Sequence, residues 1–315
     1  MFSEVFEAQL RVLMGVLPEL REGGPLALKG GTALNLFVHD LPRLSVDLDL
    51  TYLPLNGREK ALNEIDAELK AIRGRLERRG YAVQGVPLRG TAGLVKLNVR
   101  SQAGVTLQGV TVQGVTVKLE VSPVLRGTVF APALLEVRPA VQERYGYART
   151  PVVSLHDLYA GKLMAALDRQ HPRDLFDVLE IRSRGPVSRE TVQALLVYLI
   201  SHDRPLAEVL LPHLRDLDSD YHNHFMGMTV QPTPLENLLE VRSWLVAQLP
   251  LWLTARDRAF LRSFKRREPD WTLLEVAHAA ELPAVRWKMH NLSQMAPAKH
   301  REAVERLERL LDSWE

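Results

Sequence analysis

The sequence contains no cysteine, which excludes disulfides, thiolate metal sites and cysteine nucleophiles. It has no apolar run approaching the roughly 18 residues of a membrane span. Its first residues, MFSEVFEAQLRVL, carry early acids and no uninterrupted apolar core, unlike a secretion signal. A cytoplasmic, reducing compartment is therefore expected. A strong charge of one sign is also missing. The formal net charge is only +2, which neither demands nor excludes a polyanionic partner. Basic side chains outnumber acidic ones over residues 1–150 and 251–315, and the reverse holds over 151–250. A polyanion is thus expected at the two ends rather than the middle. What the chain does contain is ordinary for a globular protein: 315 residues, 46% hydrophobic and 25% charged, enough for one large domain or two ordinary ones.

Residues 3–21 place Val5, Phe6, Leu10, Leu13, Leu17 and Leu20 at helical spacing, closed by Gly23-Gly24-Pro25. A short apolar strand, Leu26–Leu28, runs into Gly30-Gly31-Thr32, and a short helix over 33–38 follows. Asp40-Leu41-Pro42 breaks the chain before a second strand, Ser45–Leu53. Residues 58–79, rich in Glu, Lys, Arg, Leu and Ala and ending at Gly80, predict a helix. From 81 to 122 the pattern becomes alternating Val and Thr punctuated by Gly, which predicts two or three antiparallel strands. The local repeat VTLQG-VTVQG-VTV reads as a hairpin with glycine turns. A proline-bearing, loop-rich passage (Pro123, Pro132, Pro139, Pro151) leads out of the sheet. Beyond Leu155 the pattern is helical, with breaks near 185, 203–205, 231–234 and 297. The expected organisation is an α+β sheet domain over 1–150 and a mostly helical domain over 151–315.

The chemistry concentrates in Ser45-Val46-Asp47-Leu48-Asp49-Leu50-Thr51. On a strand, Val46, Leu48 and Leu50 take one face, while Ser45, Asp47, Asp49 and Thr51 take the other. Two carboxylates then stand about 6–7 Å apart at the backbone, close enough to share one divalent cation or bracket two. Adjacent anions on a half-buried face are costly uncompensated, and a hard cation such as Mg²⁺ prefers oxygen ligands. Upstream, Gly30 and Gly31 let backbone amides approach a phosphate, and the helix that follows aims its free N–H groups the same way. Glycine pair, short helix and Asp-x-Asp strand together suit a nucleoside triphosphate with one or two Mg²⁺ ions. A third carboxylate, Glu120, sits in the alternating strand Val117–Ser122. If that strand lies beside the first, Glu120 joins the metal cluster or acts as base.

The segment LKGGTALNLFVHDLPRLSVDLDL resembles the first motif of the AbiEii/AbiGii-type nucleotidyltransferase toxins, members of the polymerase-β-like nucleotidyltransferase superfamily. The motif pairs a glycine turn with an Arg-x-Ser-x-Asp-hydrophobic-Asp run, here Arg43 to Asp49. A second block is similar too: Leu155-His156-Asp157-Leu158-Tyr159-Ala160-Gly161-Lys162, then Arg169 and Pro172-Arg173-Asp174-Leu175-Phe176-Asp177. The resemblance spans roughly residues 25–185. It implies that Asp47 and Asp49 bind metal with Ser45 beside them, and that Gly30, Gly31 and Thr32 hold the triphosphate. It also implies that Lys162 contacts a phosphate and that Asp174 is the second essential acid, with Asp177 one turn further on nearly the same face. Gly161 departs from the family pattern by weakening the helix ahead of Lys162. Read without the resemblance, Lys162 is a snorkelling lysine at the edge of an apolar stripe, and Asp174 a solvated helix start.

The resemblance further implies the toxin of a bacterial toxin–antitoxin or phage-defence pair, with a cognate antitoxin as partner. Its relatives are understood to transfer nucleotides from a nucleoside triphosphate to RNA, notably the 3′ acceptor end of tRNA. Three other readings stay open: transfer to a protein hydroxyl, Ser45 included; a small-molecule nucleotidyltransferase; and a catalytically silent antitoxin-binding module. Arg256, Arg258, Arg262, Lys265, Arg266 and Arg267 interleave with Phe260 and Phe264. This run is either a nucleic-acid surface or an amphipathic helix with its phenylalanines inward. His222 and His224 are read as polar surface residues rather than metal ligands.

Overall fold

A computed structural model describes residues 4–107 and 110–315. The chain divides into two compact units, one formed by residues 1–154 with 227–232, the other by 155–226 with 233–315.

The first unit is built on a seven-stranded mixed sheet. In chain order its elements are α1 (Glu4–Val16), β1 (Leu26–Lys29), α2 (Gly30–Ala33), β2 (Asp47–Tyr52), α3 (Arg58–Arg78), β3 (Tyr81–Pro87) and β4 (Leu94–Ser101). A separate ribbon, β5 (Val105–Leu107) with β6 (Val110–Val112), precedes β7 (Thr116–Val121), β8 (Ala133–Glu136), α4 (Pro139–Tyr145) and β9 (Arg149–Val152). The order across the sheet is β3-β4-β7-β2-β1-β9-β8. β2 therefore lies centrally, antiparallel to β1 and parallel to β7. Its alternation is strict where it matters: Leu48 and Leu50 are buried while Asp47 and Asp49 are exposed. Leu48, Leu119 and Leu97 stand abreast in register on the buried face, each worth roughly 1.5–3 kcal/mol of burial. Helix α3, which packs on β3 and β4, buries Ala61, Ile65, Leu69, Ile72 and Leu76 at steps of three and four.

The structure differs from the sequence reading in several places. β2 begins at Asp47, and Ser45 and Val46 precede it as coil. The short helix starts three residues early, at Gly30, and its second half, Leu34–Val38, is a π-helix. Among the described residues, 81–122 hold five strands rather than two or three, because the Val-Thr repeat pairs as its own ribbon. The turn expected at Gln108-Gly109 lies outside the described residues. The passage read as loop contains β8, α4 and β9, and Pro151 sits inside β9 opposite Leu134.

The second unit is helical: α5 (Leu155–Asp168), α6 (Pro172–Ser183), α7 (Arg189–Ser201), α8 (Leu206–Leu210), α9 (Asp218–His224), α10 (Leu235–Trp252), α11 (Ala255–Lys265), α12 (Pro283–Ser293) and α13 (Pro297–Asp312). α5 packs against α6 and α7, and α10 against α6. No helix among the described residues is long and apolar enough to cross a membrane.

Lys288 of α12 is buried and donates to the carbonyl oxygens of Asp203 and Arg204 at 2.9 and 3.0 Å. Burial, reinforced by the nearby Lys265 ammonium, pulls its pKa down from 10.5 to about 8. Between those two values the unfolded chain keeps a proton that the folded chain has released, so stability rises with pH across that window. Urea midpoints measured from pH 7.5 to 10 are expected to climb more in the wild type than in Lys288→Met. Parallel profiles would show that Lys288 does not titrate there.

Candidate active site

The first unit gathers Gly30, Gly31, Thr32, Ser45, Asp47, Asp49 and Glu120 around the carboxyl end of β1 and the start of β2. Gly30 has a φ of +76°, a backbone conformation costly for any residue with a Cβ. A Cβ added there would fall 2.7 Å from Asp49 Oδ2 and 3.2 Å from Asp49 Cβ. The turn thus runs directly against the Asp49 side chain, and only glycine permits it. Thr32 is fully buried. Its hydroxyl donates to the Asp47 carbonyl at 2.5 Å and lies 3.1 Å from Ser45 Oγ. Thr32 and Ser45 therefore fasten the glycine turn to the start of the carboxylate strand. Asn35 adds a second tie: its buried amide donates to the Gly31 carbonyl at 2.8 Å.

Glu120 of β7 stands beside Asp49 in the parallel register, and Lys118 beside Asp47. Across β1, Lys29 is the register partner of Asp49. Burial pulls the Lys29 ammonium below its ordinary value, and the Asp49 and Glu120 carboxylates pull it back up. On the far side, Lys96 of β4 pairs with Glu120 at 3.2 Å. Sequence reasoning missed Lys29, Lys96 and Asn35. Lys29 adjoins the glycine turn, a signal within reach; Lys96 becomes visible only with the strand register.

The donor set tests well for a hard divalent cation. Asp47 and Asp49 are exposed on one face of one strand, and Glu120 offers a third carboxylate in the next slot. Among the described residues, no three carboxylate or histidine groups are already drawn together as a metal cluster. A groove of about 440 Å³ lined by Gly24, Leu53, Glu64 and Glu68 lies at the other end of β1 and β2, away from these carboxylates.

Lys162, Asp174 and Asp177 belong to the second unit. Lys162 is buried rather than snorkelling, because two acids from α6 meet it: Asp177 at 2.7 Å and Asp174 at 3.4 Å. Asp174 is likewise buried rather than solvated. Arg169 grips it with two bonds of 2.5 and 2.9 Å. Burial alone would raise the Asp174 carboxyl, but Lys162 and Arg169 together hold it below the usual carboxylate range. α6 starts as expected at Pro172, with the His171 ring accepting from the Arg173 amide. Gly161 leaves open space where a Cβ would sit.

The basic run near residue 260 resolves as the amphipathic alternative. Phe260 and Phe264 are fully buried against Trp271 and present no face for a base. Arg262 pairs with Glu315 and Asp312, Arg266 with Glu308, and Arg258 donates to the Leu253 carbonyl. His222 caps back onto the Asp218 carbonyl at 2.8 Å.

Residues 11–291 match the family described as nucleotidyl transferase AbiEii toxin, type IV toxin–antitoxin system. The chain belongs to this family. It is accordingly a nucleotidyltransferase toxin of a type IV toxin–antitoxin system, which implies a nucleoside triphosphate substrate and an antitoxin counterpart. No curated protein matches this AbiEii-family chain in sequence. Among solved structures, it is similar in fold to MenT4, a nucleotidyltransferase toxin from Mycobacterium tuberculosis H37Rv. The TM-score is 0.55 and the identity 19%, over 91% of this chain and 92% of that one.

Two outcomes follow from this AbiEii-type geometry. Gly30→Ala forces Asp49 aside at a cost of about 1–3 kcal/mol, and misplacing a reacting group by about 1 Å costs roughly 100-fold in rate. Nucleotide transfer is expected to collapse while the circular-dichroism spectrum persists, with Gly57→Ala, which meets open space, unaffected; equal activity in both would break the link between Gly30 and Asp49. Lys162→Met leaves two buried carboxylates without their shared cation, so urea unfolding should register a loss of about 3–5 kcal/mol. A loss under 1 kcal/mol would mean that Lys162 is not the charge that holds α6 to α5.

Proposed function

We propose that this toxin transfers a nucleoside monophosphate from a nucleoside triphosphate to the 3′-hydroxyl of RNA, with the tRNA acceptor end as target, and does so with Mg²⁺. The observation that carries the reading is the pair of exposed carboxylates, Asp47 and Asp49, set against the Gly30 turn with Glu120 abreast. Asp47 and Asp49 would hold the metal. Bound there, one or two Mg²⁺ ions supply charge neutralisation to the triphosphate and to the leaving pyrophosphate.

The remaining work falls to the chain itself. In this reading the Gly30-Gly31 turn holds the triphosphate, its glycines letting the backbone come close to a phosphate. The RNA 3′ oxygen forms a bond to the α-phosphorus as the bond to the bridging oxygen breaks, and pyrophosphate leaves with that electron pair. The hydroxyl proton passes to a carboxylate. Glu120, exposed and in the row of Asp49, suits this role better than Asp174, whose two cations hold it ionised and weakly basic. By the family resemblance Lys162 offsets phosphate charge. Asp174 and Asp177 then serve to fix Lys162 in place, a part that suits their short contacts.

Label transfer tests the reading. The purified protein is incubated with each α-labelled nucleoside triphosphate, Mg²⁺ and total tRNA, beside Asp47→Ala. Label on tRNA that requires Asp47 is expected. Asp47-dependent label on protein instead would redirect the proposal to a protein hydroxyl acceptor. No label on either, with nucleotide binding also absent, would leave the chain an antitoxin-binding module.

A further inference from the structure

The strand register places charges in two rows across the carboxylate face. The first row reads Lys29, Asp49, Glu120, Lys96 from β1 to β4. The second reads Asp47, Lys118, Asn98 from β2 to β4. Residues paired in register point to the same side of a sheet. The two rows therefore carry three carboxylates and three ammonium groups, with no net charge.

Surface ion pairs are often decoration of little energetic worth, and Lys96 with Glu120, half-exposed, could be read that way. Lys29 cannot. It is half-buried at the β1 end of the row, directly across from Asp49 and with Glu120 next in line. Its position also answers a specific problem. Asp49 and Glu120 are direct cross-strand neighbours, an arrangement that repels, and a lysine closes the row at each end. Lys118 occupies the corresponding place beside Asp47.

We propose that Lys29, Lys96 and Lys118 are resident counter-ions that keep the carboxylate face neutral when it holds no metal. A divalent cation then gains little by binding alone and joins together with the nucleotide, whose triphosphate oxygens take over the lysines. The inference rests on the reading of Asp47 and Asp49 as metal ligands. It assigns the lysines a positioning role: they couple metal binding to nucleotide binding, and by linkage the coupling is the same in both directions.

Mn²⁺ binding to the full-length protein tests this without any turnover. Free Mn²⁺ is read by its paramagnetic resonance signal, with and without a non-hydrolysable α,β-methylene triphosphate. Wild type is compared with Lys96→Gln, Lys118→Gln and Asp47→Asn. Both lysines lie on the sheet surface, so these variants are expected to fold. Wild type should bind Mn²⁺ weakly alone and much more tightly with the analogue. Each lysine variant should bind Mn²⁺ alone roughly tenfold more tightly, the effect of removing one surface charge about 6 Å from a divalent ion at a water-like dielectric. The gain from adding the analogue should shrink by a similar factor. Lysine variants no tighter than wild type, with Asp47→Asn abolishing binding, would overturn the counter-ion role and leave the catalytic reading intact. Binding unchanged in Asp47→Asn would overturn the metal-site reading on which the inference stands.

Discussion

Asp49 and Glu120 are held opposite each other on adjacent parallel strands, and two like charges in that position repel. Much of the first unit's construction can be understood as what keeps them there. The sheet interior supplies the force: Leu48, Leu119 and Leu97 interlock on the opposite face and lock the register that lines up the carboxylates above them. A shift of one residue would bury Asp47 and Asp49 and expose the leucines. Parallel pairing of β2 with β7 in turn requires a long crossover, and α3 with the β3–β4 hairpin fills it. Gly30 then lets the backbone of the neighbouring turn run directly against Asp49.

The helical unit solves the converse problem, a buried cation. An ammonium group at 7% exposure, as at Lys162, is costly without anionic company. Asp177 and Asp174 supply it, and Arg169 returns the balance by gripping Asp174 from the exposed side. Such networks add little net stability but penalise any rearrangement that separates the partners. Their worth lies in fixing where one ammonium group points.

The sequence made the polarity of β2, the glycine turn and α3 legible, because each depends on local spacing. Asp47 and Asp49 share an exposed face for the reason their alternation with leucines implied. What stayed hidden was non-local. β9 contains Pro151, which argues against a strand until its edge partner β8 is known. The Val-Thr repeat gave no hint that β5 and β6 would leave the main sheet. Lys162 looked like a snorkelling residue, since its two acids lie on the next helix. Lys96 lies 47 residues from Asp49 in sequence, and only the intervening strand β7 brings the two into one row.

Residues 227–232 return to the first unit after the excursion through α5–α9. There the Leu44 amide donates to the Met228 carbonyl, the Val230 amide donates to the Pro42 carbonyl, and Arg43 bridges to Thr229. This clasp closes the loop that feeds Ser45 and the carboxylate strand. During synthesis the loop emerges long before its fastening does. With some 186 residues between Leu44 and Val230, the interval is about 10–40 s at ribosomal speed. A chain released late in that interval, after Glu136, carries every carboxylate of the sheet but not the segment that closes the loop leading to them. For a protein harmful to the cell that makes it, the timing separates possession of the acidic residues from completion of the unit that presents them.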